Sequence, residues 1–211
     1  MSLPYDVALA SRQLRSSDPA MRRLIDRVGA CRMTMRRPKD PFRALLRSII
    51  YQQLSGASAG AIEGRVLDLF DAGRPTPHAL AGLSDARLRN AGLSRQKISY
   101  CRDLARCALE RELPSARALG TLDDEVIIDQ LISVKGIGRW TVQMMLMSNL
   151  GRPDVWPVDD FGVRKGYMVC HGLDAMPTPK GLEPLGERYR PWRSVASWYF
   201  WREAEQAGRG D

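Results

Sequence analysis

Apolar residues recur at intervals of three and four along almost all of this chain, and no run alternates with period two between turn signals. That pattern argues against a sheet and predicts helices of ordinary length. Over 41–54 the apolar positions are Phe42, Leu45, Leu46, Ile49 and Ile50. Over 94–111 they are Ile98, Cys101, Leu104, Ala105, Ala108 and Leu109, following Ser94, a good N-cap. A third segment, 121–133, opens on Thr121 with Asp124 three residues on, a capping-box pattern, and carries Ile127, Ile128, Leu131 and Ile132. Breaks fall at Gly73-Arg-Pro, Gly92, Leu113-Pro, Gly151-Arg-Pro and Met176-Pro-Thr-Pro. The expected fold class is all-α, with a domain seam near Gly151-Arg152-Pro153.

At 211 residues the chain is long enough to bury a core, as one large domain or two small lobes. Its 44% hydrophobic content is that of a globular protein, not a disordered one. The net charge of +8 favours a polyanionic partner and says nothing about fold. Cys31, Cys101, Cys107 and Cys170 match no zinc or iron–sulfur spacing and read as buried thiols of a reducing compartment. No stretch approaches the roughly 20 apolar residues that span a bilayer, and no charged and then apolar leader opens the chain. A soluble intracellular protein is expected, in a bacterial cytoplasm or a eukaryotic nucleus.

Two motifs carry chemistry. Gly136-Ile137-Gly138 lies between two helical patterns. Glycine allows positive φ and close approach of another backbone. Ile137 between the glycines is expected to point into the core. The N–H groups of the turn, and of the helix that Thr141 opens, are then left to meet a phosphate oxygen. Helix-hairpin-helix elements hold the DNA backbone this way without reading sequence. A plain tight turn between core helices is the competing reading. Further on, Asp159 and Asp160 follow Pro157-Val158 and precede an apparent helix start at Phe161. One carboxylate serving as N-cap and the other as a solvated first-turn residue accounts for the pair structurally. The functional reading is compatible with that. A carboxylate kept ionised at a helix N-terminus can stabilise an oxocarbenium-like sugar as an N-glycosidic bond breaks, or orient the attacking water.

Trp140 lies two residues past the hairpin, and Trp192, Trp198 and Trp201 crowd the last helical pattern. Core packing explains any one of them. A base taken out of a duplex must also be held by stacking, and an alkylated purine is a cation that an indole face attracts. His78 and His171 read as ordinary loop or surface residues, and Arg12, Arg15, Arg22, Arg23, Arg36 and Arg37 as a solvated basic face.

These residues resemble the helix-hairpin-helix DNA glycosylases that excise alkylated bases, the DNA-3-methyladenine glycosylase II family, in its short form. Four blocks between about Pro41 and Arg202 carry the likeness. They are Ile49-Ile-Tyr-Gln-Gln-Leu-Ser with Ala57 and Ala59, Gly92-Leu-Ser-Arg-Gln-Lys, the hairpin with Pro157-Val-Asp-Asp, and Pro191-Trp-Arg-Ser-Val-Ala-Ser-Trp-Tyr-Phe-Trp. The resemblance implies two helical lobes with the active site in the cleft between them. Residues 1–34 would pack with a C-terminal lobe, 153–211, and 35–152 would form the central lobe containing the hairpin.

The resemblance also assigns roles. Asp160 is the catalytic carboxylate, with Asp159 structural or supporting. Trp140 and Trp201 line the base pocket, and Leu54 is the wedge that fills the gap left by the flipped nucleotide. Gly136, Gly138 and Thr141 contact DNA phosphate. The main-chain oxygens of Ile132, Val134 and Ile137 would hold a structural monovalent cation, K+ or Na+, and no cofactor is required. Relatives that also cut the strand carry a Schiff-base lysine where this chain has Trp140. A monofunctional enzyme that hydrolyses alkylated purines of the 3-methyladenine type from double-stranded DNA, as a monomer in base excision repair, is therefore expected. No cysteine follows Cys170, so the iron–sulfur cluster of some relatives is not expected. The alternatives are a non-catalytic DNA-binding module and a glycosylase for a different lesion.

Overall fold

The computed structural model describes residues 2–35 and 40–208. Among them the chain forms α-helices and two short 3-10 turns, with no strand. In order the helices are α1 (Val7–Ser17), α2 (Pro19–Val28), α3 (Pro41–Tyr51), α4 (Gly56–Leu67), α5 (Pro77–Gly82), α6 (Asp85–Asn90) and α7 (Arg95–Leu109). They continue with α8 (Ala116–Thr121), α9 (Asp124–Leu131), α10 (Arg139–Ser148), α11 (Phe161–His171), α12 (Pro179–Leu182) and α13 (Arg193–Ala207). The 3-10 turns are Asp71–Gly73 and Pro184–Tyr189. No helix among the described residues is long and apolar enough to cross a membrane.

The chain divides into two compact units. The first joins α1 and α2 to everything from Gln143 onward. The second starts with α3 and runs to Val142, so the division falls inside α10. The Gly151-Arg152-Pro153 break lies within the first unit.

The first unit is built on the α11–α13 pair. A Cβ added at Gly166 of α11 would sit 1.9 Å from the Phe200 carbonyl oxygen of α13. The two backbones therefore touch with no side chain between them. Tyr167, Tyr189, Tyr199, Phe200, Leu14, Met21 and Leu24 fill the core around this contact. The same unit holds a polar cluster. Asp18 caps α2 by accepting from the Ala20 N–H at 2.7 Å. Its Oδ2 accepts from the Tyr189 hydroxyl at 2.7 Å and meets His171 Nε2 at 2.8 Å. His171 is thus no ordinary surface residue: it ends α11, stacks on Tyr167 at 3.9 Å and meets a buried carboxylate. Burial raises the Asp18 carboxyl, but the bonds from His171, Tyr189 and Ala20 outweigh it and leave it at about 2. Burial, and the Asp18 charge beside it, push the Tyr189 hydroxyl upward.

In the second unit α7 packs against α3 and α5. Ser94 caps α7 as its sequence suggests, accepting from the Lys97 N–H at 3.2 Å. Asp40 caps α3, with Pro41 at its first position. Two expectations need correction. The 41–54 pattern stops being helical at Tyr51, because Gln52 turns to an extended ψ of 133 and Gln53 follows with φ +57. The 121–133 pattern is not one helix capped by Thr121. Thr121 is the last residue of α8 and donates its hydroxyl to the Ala118 carbonyl at 3.2 Å, and α9 starts after Asp123. Among the basic residues, Arg12, Arg15, Arg22 and Arg23 are exposed, and Arg36 and Arg37 lie outside the described residues.

Gly166→Ala places a methyl group inside a backbone contact, and a loss of about 3 kcal/mol in unfolding free energy is expected by chemical denaturation. The Asp18 cluster gives a pH signature. With its folded value near 2, below the ordinary carboxylate range, Asp18 adds stability in full above about pH 4 and loses it as the pH falls towards about 2. Across that fall wild type is expected to lose about 2 kcal/mol more than Asp18→Asn, measured by denaturant titration at each pH.

Candidate functional site

Trp156 and Pro157 are buried, and the Trp156 indole donates to the Leu182 carbonyl at 3.1 Å. From this anchor the chain turns tightly: the Asp160 N–H donates to the Pro157 carbonyl at 3.0 Å. The turn separates the two carboxylates. Asp159 is exposed, and Asp160 is only 8% exposed. Asp160 is the N-cap of α11, its Oδ1 accepting from the Val163 N–H at 2.8 Å. The same oxygen accepts from the indole N–H of Trp201, on α13, at 2.8 Å. Gly162 makes room for this pair. A Cβ there would stand 2.8 Å from Trp201 Cδ1 and 3.2 Å from Asp160 Oδ1.

The glycine turn lies in the second unit. The Ile137 N–H donates to the Val134 carbonyl at 3.0 Å, and Ile137 is buried as expected. Gly136 has φ +82, and a Cβ on it would lie 2.3 Å from the Tyr100 ring, so glycine is required there twice over. Two side chains tie the turn down. Gln52 Nε2 donates to the Gly136 carbonyl at 2.7 Å, and Asp103 Oδ2 accepts from the Lys135 N–H at 2.7 Å. That backbone bond, against burial and with help from Arg106, holds the Asp103 carboxyl below its ordinary range.

Gly138 is different. It is exposed, its φ is not positive, and a Cβ on it would meet nothing within 4 Å. Nothing among the described residues demands glycine at this position. The N–H groups of Gly136 and Gly138 have no acceptor among the described residues. This is a surface where a second backbone can come close and find donors. Arg139 beside it pairs with Glu125, Thr141 is buried, and Trp140 stands 43% exposed. Leu54 is 39% exposed, in the turn that Gln52 ties to Gly136.

The model of the HhH-GPD superfamily base excision DNA repair proteins matches residues 46–191. This chain belongs to the HhH-GPD superfamily. It is 33% identical over 200 residues to DNA-3-methyladenine glycosylase 1 of Schizosaccharomyces pombe, covering 94% of this chain and 88% of the relative. A solved structure of the Schizosaccharomyces pombe 3-methyladenine DNA glycosylase in complex with abasic DNA superposes with TM-score 0.84 at 33% identity. It covers 92% of this chain and 95% of that one. A DNA-3-methyladenine glycosidase from Bacillus halodurans gives TM-score 0.83 at 32% identity, covering 95% and 91%.

In this HhH-GPD chain the structure brings Asp160 and Trp201 into direct contact within one unit, and brings the Leu54 turn to the hairpin within the other. Sequence reasoning missed the hydrogen bond between Asp160 and Trp201, the space kept by Gly162, and the tie from Gln52. None leaves a periodic or spaced signal. Among the described residues there is no cluster of His, Cys, Asp and Glu suited to a metal. Main-chain oxygens of the hairpin do suit a hard monovalent cation. The carbonyls of Ile132 and Ile137 accept no hydrogen bond among the described residues, and that of Val134 accepts one, leaving a lone pair.

The two hairpin glycines should separate in a stability assay. Gly136→Ala is expected to destabilise by about 2 kcal/mol or more, through Tyr100 and positive φ, whereas Gly138→Ala stays within about 0.5 kcal/mol of wild type by thermal or urea denaturation.

Proposed function

We propose that this chain is a monofunctional DNA glycosylase that excises alkylated purines from duplex DNA in base excision repair, acting wherever the cell keeps its DNA. The single observation that carries the reading is Asp160, a buried carboxylate at a helix N-terminus, oriented by the Trp201 indole. A structural N-cap needs only the bond to Val163. The second donor, from another helix, supports a carboxylate whose direction matters.

The hairpin holds a backbone phosphate through the N–H groups of Gly136 and Gly138, with Thr141 in the first turn of α10, and Leu54 fills the stack where a nucleotide has left. Trp140 and Trp201 receive the extruded base by stacking, which favours a cationic ring without demanding a particular hydrogen-bond pattern. The bond from C1′ to the base nitrogen then breaks. Its electron pair leaves with the alkylated base, which departs neutral, so no strong general acid is needed. Asp160, held by two donors on Oδ1, offers a fixed negative charge to the sugar cation. Water adds at C1′, gives up a proton, and leaves a free base and an abasic site. Trp140 stands where a strand-cutting enzyme would need a lysine amine, which supports water as the nucleophile. A monovalent cation held by the carbonyls of Ile132, Val134 and Ile137 would supply positive charge beside the gripped phosphate.

Asp160→Asn keeps the cap acceptor but removes the charge. It is expected to bind methylated duplex as wild type does and to lower base release at least about 100-fold, read by chromatography of the freed bases. Base release at the wild-type rate would refute the assignment. Wild-type protein that binds abasic DNA but frees no base would identify a binding module instead.

A further inference from the structure

The turn after α3 is more tightly held than an exposed loop requires. Lys97 Nζ donates to the Ile50 carbonyl at 2.7 Å, closing the end of α3, and burial lowers the Lys97 ammonium from its ordinary range. Gln53 follows with φ +57, a left-handed conformation that a side chain of this size rarely adopts. Gln52 between them reaches 84 residues along the sequence to the Gly136 carbonyl, at 2.7 Å. Strain of this kind persists only where the surroundings over-determine it. Here Lys97 and Gln52 do so, one before the strained residue and one beside it.

These contacts join two pieces that the glycosylase reading uses separately. One is the exposed Leu54; the other is the turn whose Gly136 and Gly138 N–H groups have no acceptor among the described residues. We propose that Gln52 is a positioning residue that sets Leu54 in register with the hairpin, so that gripping the backbone presents the wedge at one base step. The proposal rests on the glycosylase reading. Without the tie the hairpin still grips phosphate, but Leu54 is no longer delivered where the stack opens, and extrusion depends on spontaneous opening of the pair. The loss should therefore scale with how hard the base is to extrude.

The test uses the full chain with Gln52→Glu, which keeps the shape but cannot donate to a carbonyl, and Gln52→Met as a second variant should the first fail to fold. Single-turnover release of 7-methylguanine is measured from two duplexes, one with the lesion paired to cytosine and one with it opposite an abasic site, where extrusion costs less. Release from the paired duplex is expected to fall at least about tenfold, while release from the duplex with the abasic partner stays within about threefold of wild type. The fluorescence rise of a 2-aminopurine placed beside the paired lesion should shrink in parallel, with affinity for undamaged duplex unchanged. Equal losses on both duplexes would mark Gln52 as merely structural and overturn the proposal, as would no loss on either. Wild-type protein silent on both duplexes would bring down the glycosylase reading itself.

Discussion

One oxygen atom organises the first unit. Asp160 Oδ1 accepts from the first turn of α11 and from the Trp201 indole of α13, both at 2.8 Å. The first bond begins a helix; the second fixes which way the carboxylate faces. Neither helix can shift without disturbing the pair, and Gly166 against the Phe200 carbonyl ensures that they do not shift. A side chain of modest intrinsic rigidity becomes a directed charge because two helices meet without side chains between them. Electrostatic stabilisation of a short-lived cation requires a charge already in position, since any reorganisation would be added to the barrier.

The second unit achieves rigidity by other means. Its glycine turn is pinned from outside by Gln52, Asp103 and Tyr100, through a carbonyl, an N–H and a ring face. With the turn held in this way, the N–H groups of Gly136 and Gly138 keep no acceptor among the described residues. Unpaired donors at a surface are affordable because water serves them until a better acceptor arrives.

How much of this is legible in the sequence depends on range. α7 and its Ser94 cap are legible because cap and periodicity are local. The Asp pair is legible as a helix start, and its second member is assigned by resemblance alone. The Thr121 start is misread because a threonine that closes one helix and an acid near the start of the next mimic a capping box. What escapes entirely is long-range. Trp201 is 41 residues from Asp160, and no pattern in its helix distinguishes it from Trp198. His171 looks like a surface residue because its partner, Asp18, lies 153 residues away. Polar contacts between distant segments have no period, and so no single segment announces them.

Gly138 carries a consequence for descent. The requirement at Gly136 comes from the fold, while at Gly138 there is open space and no demand from the described residues. On the proposed phosphate grip, a duplicated copy released from its nucleic-acid partner would be free to vary at 138 while still held at 136. On that proposal, the residue found at 138 would report whether a lineage still clasps a strand, even where every helix has survived.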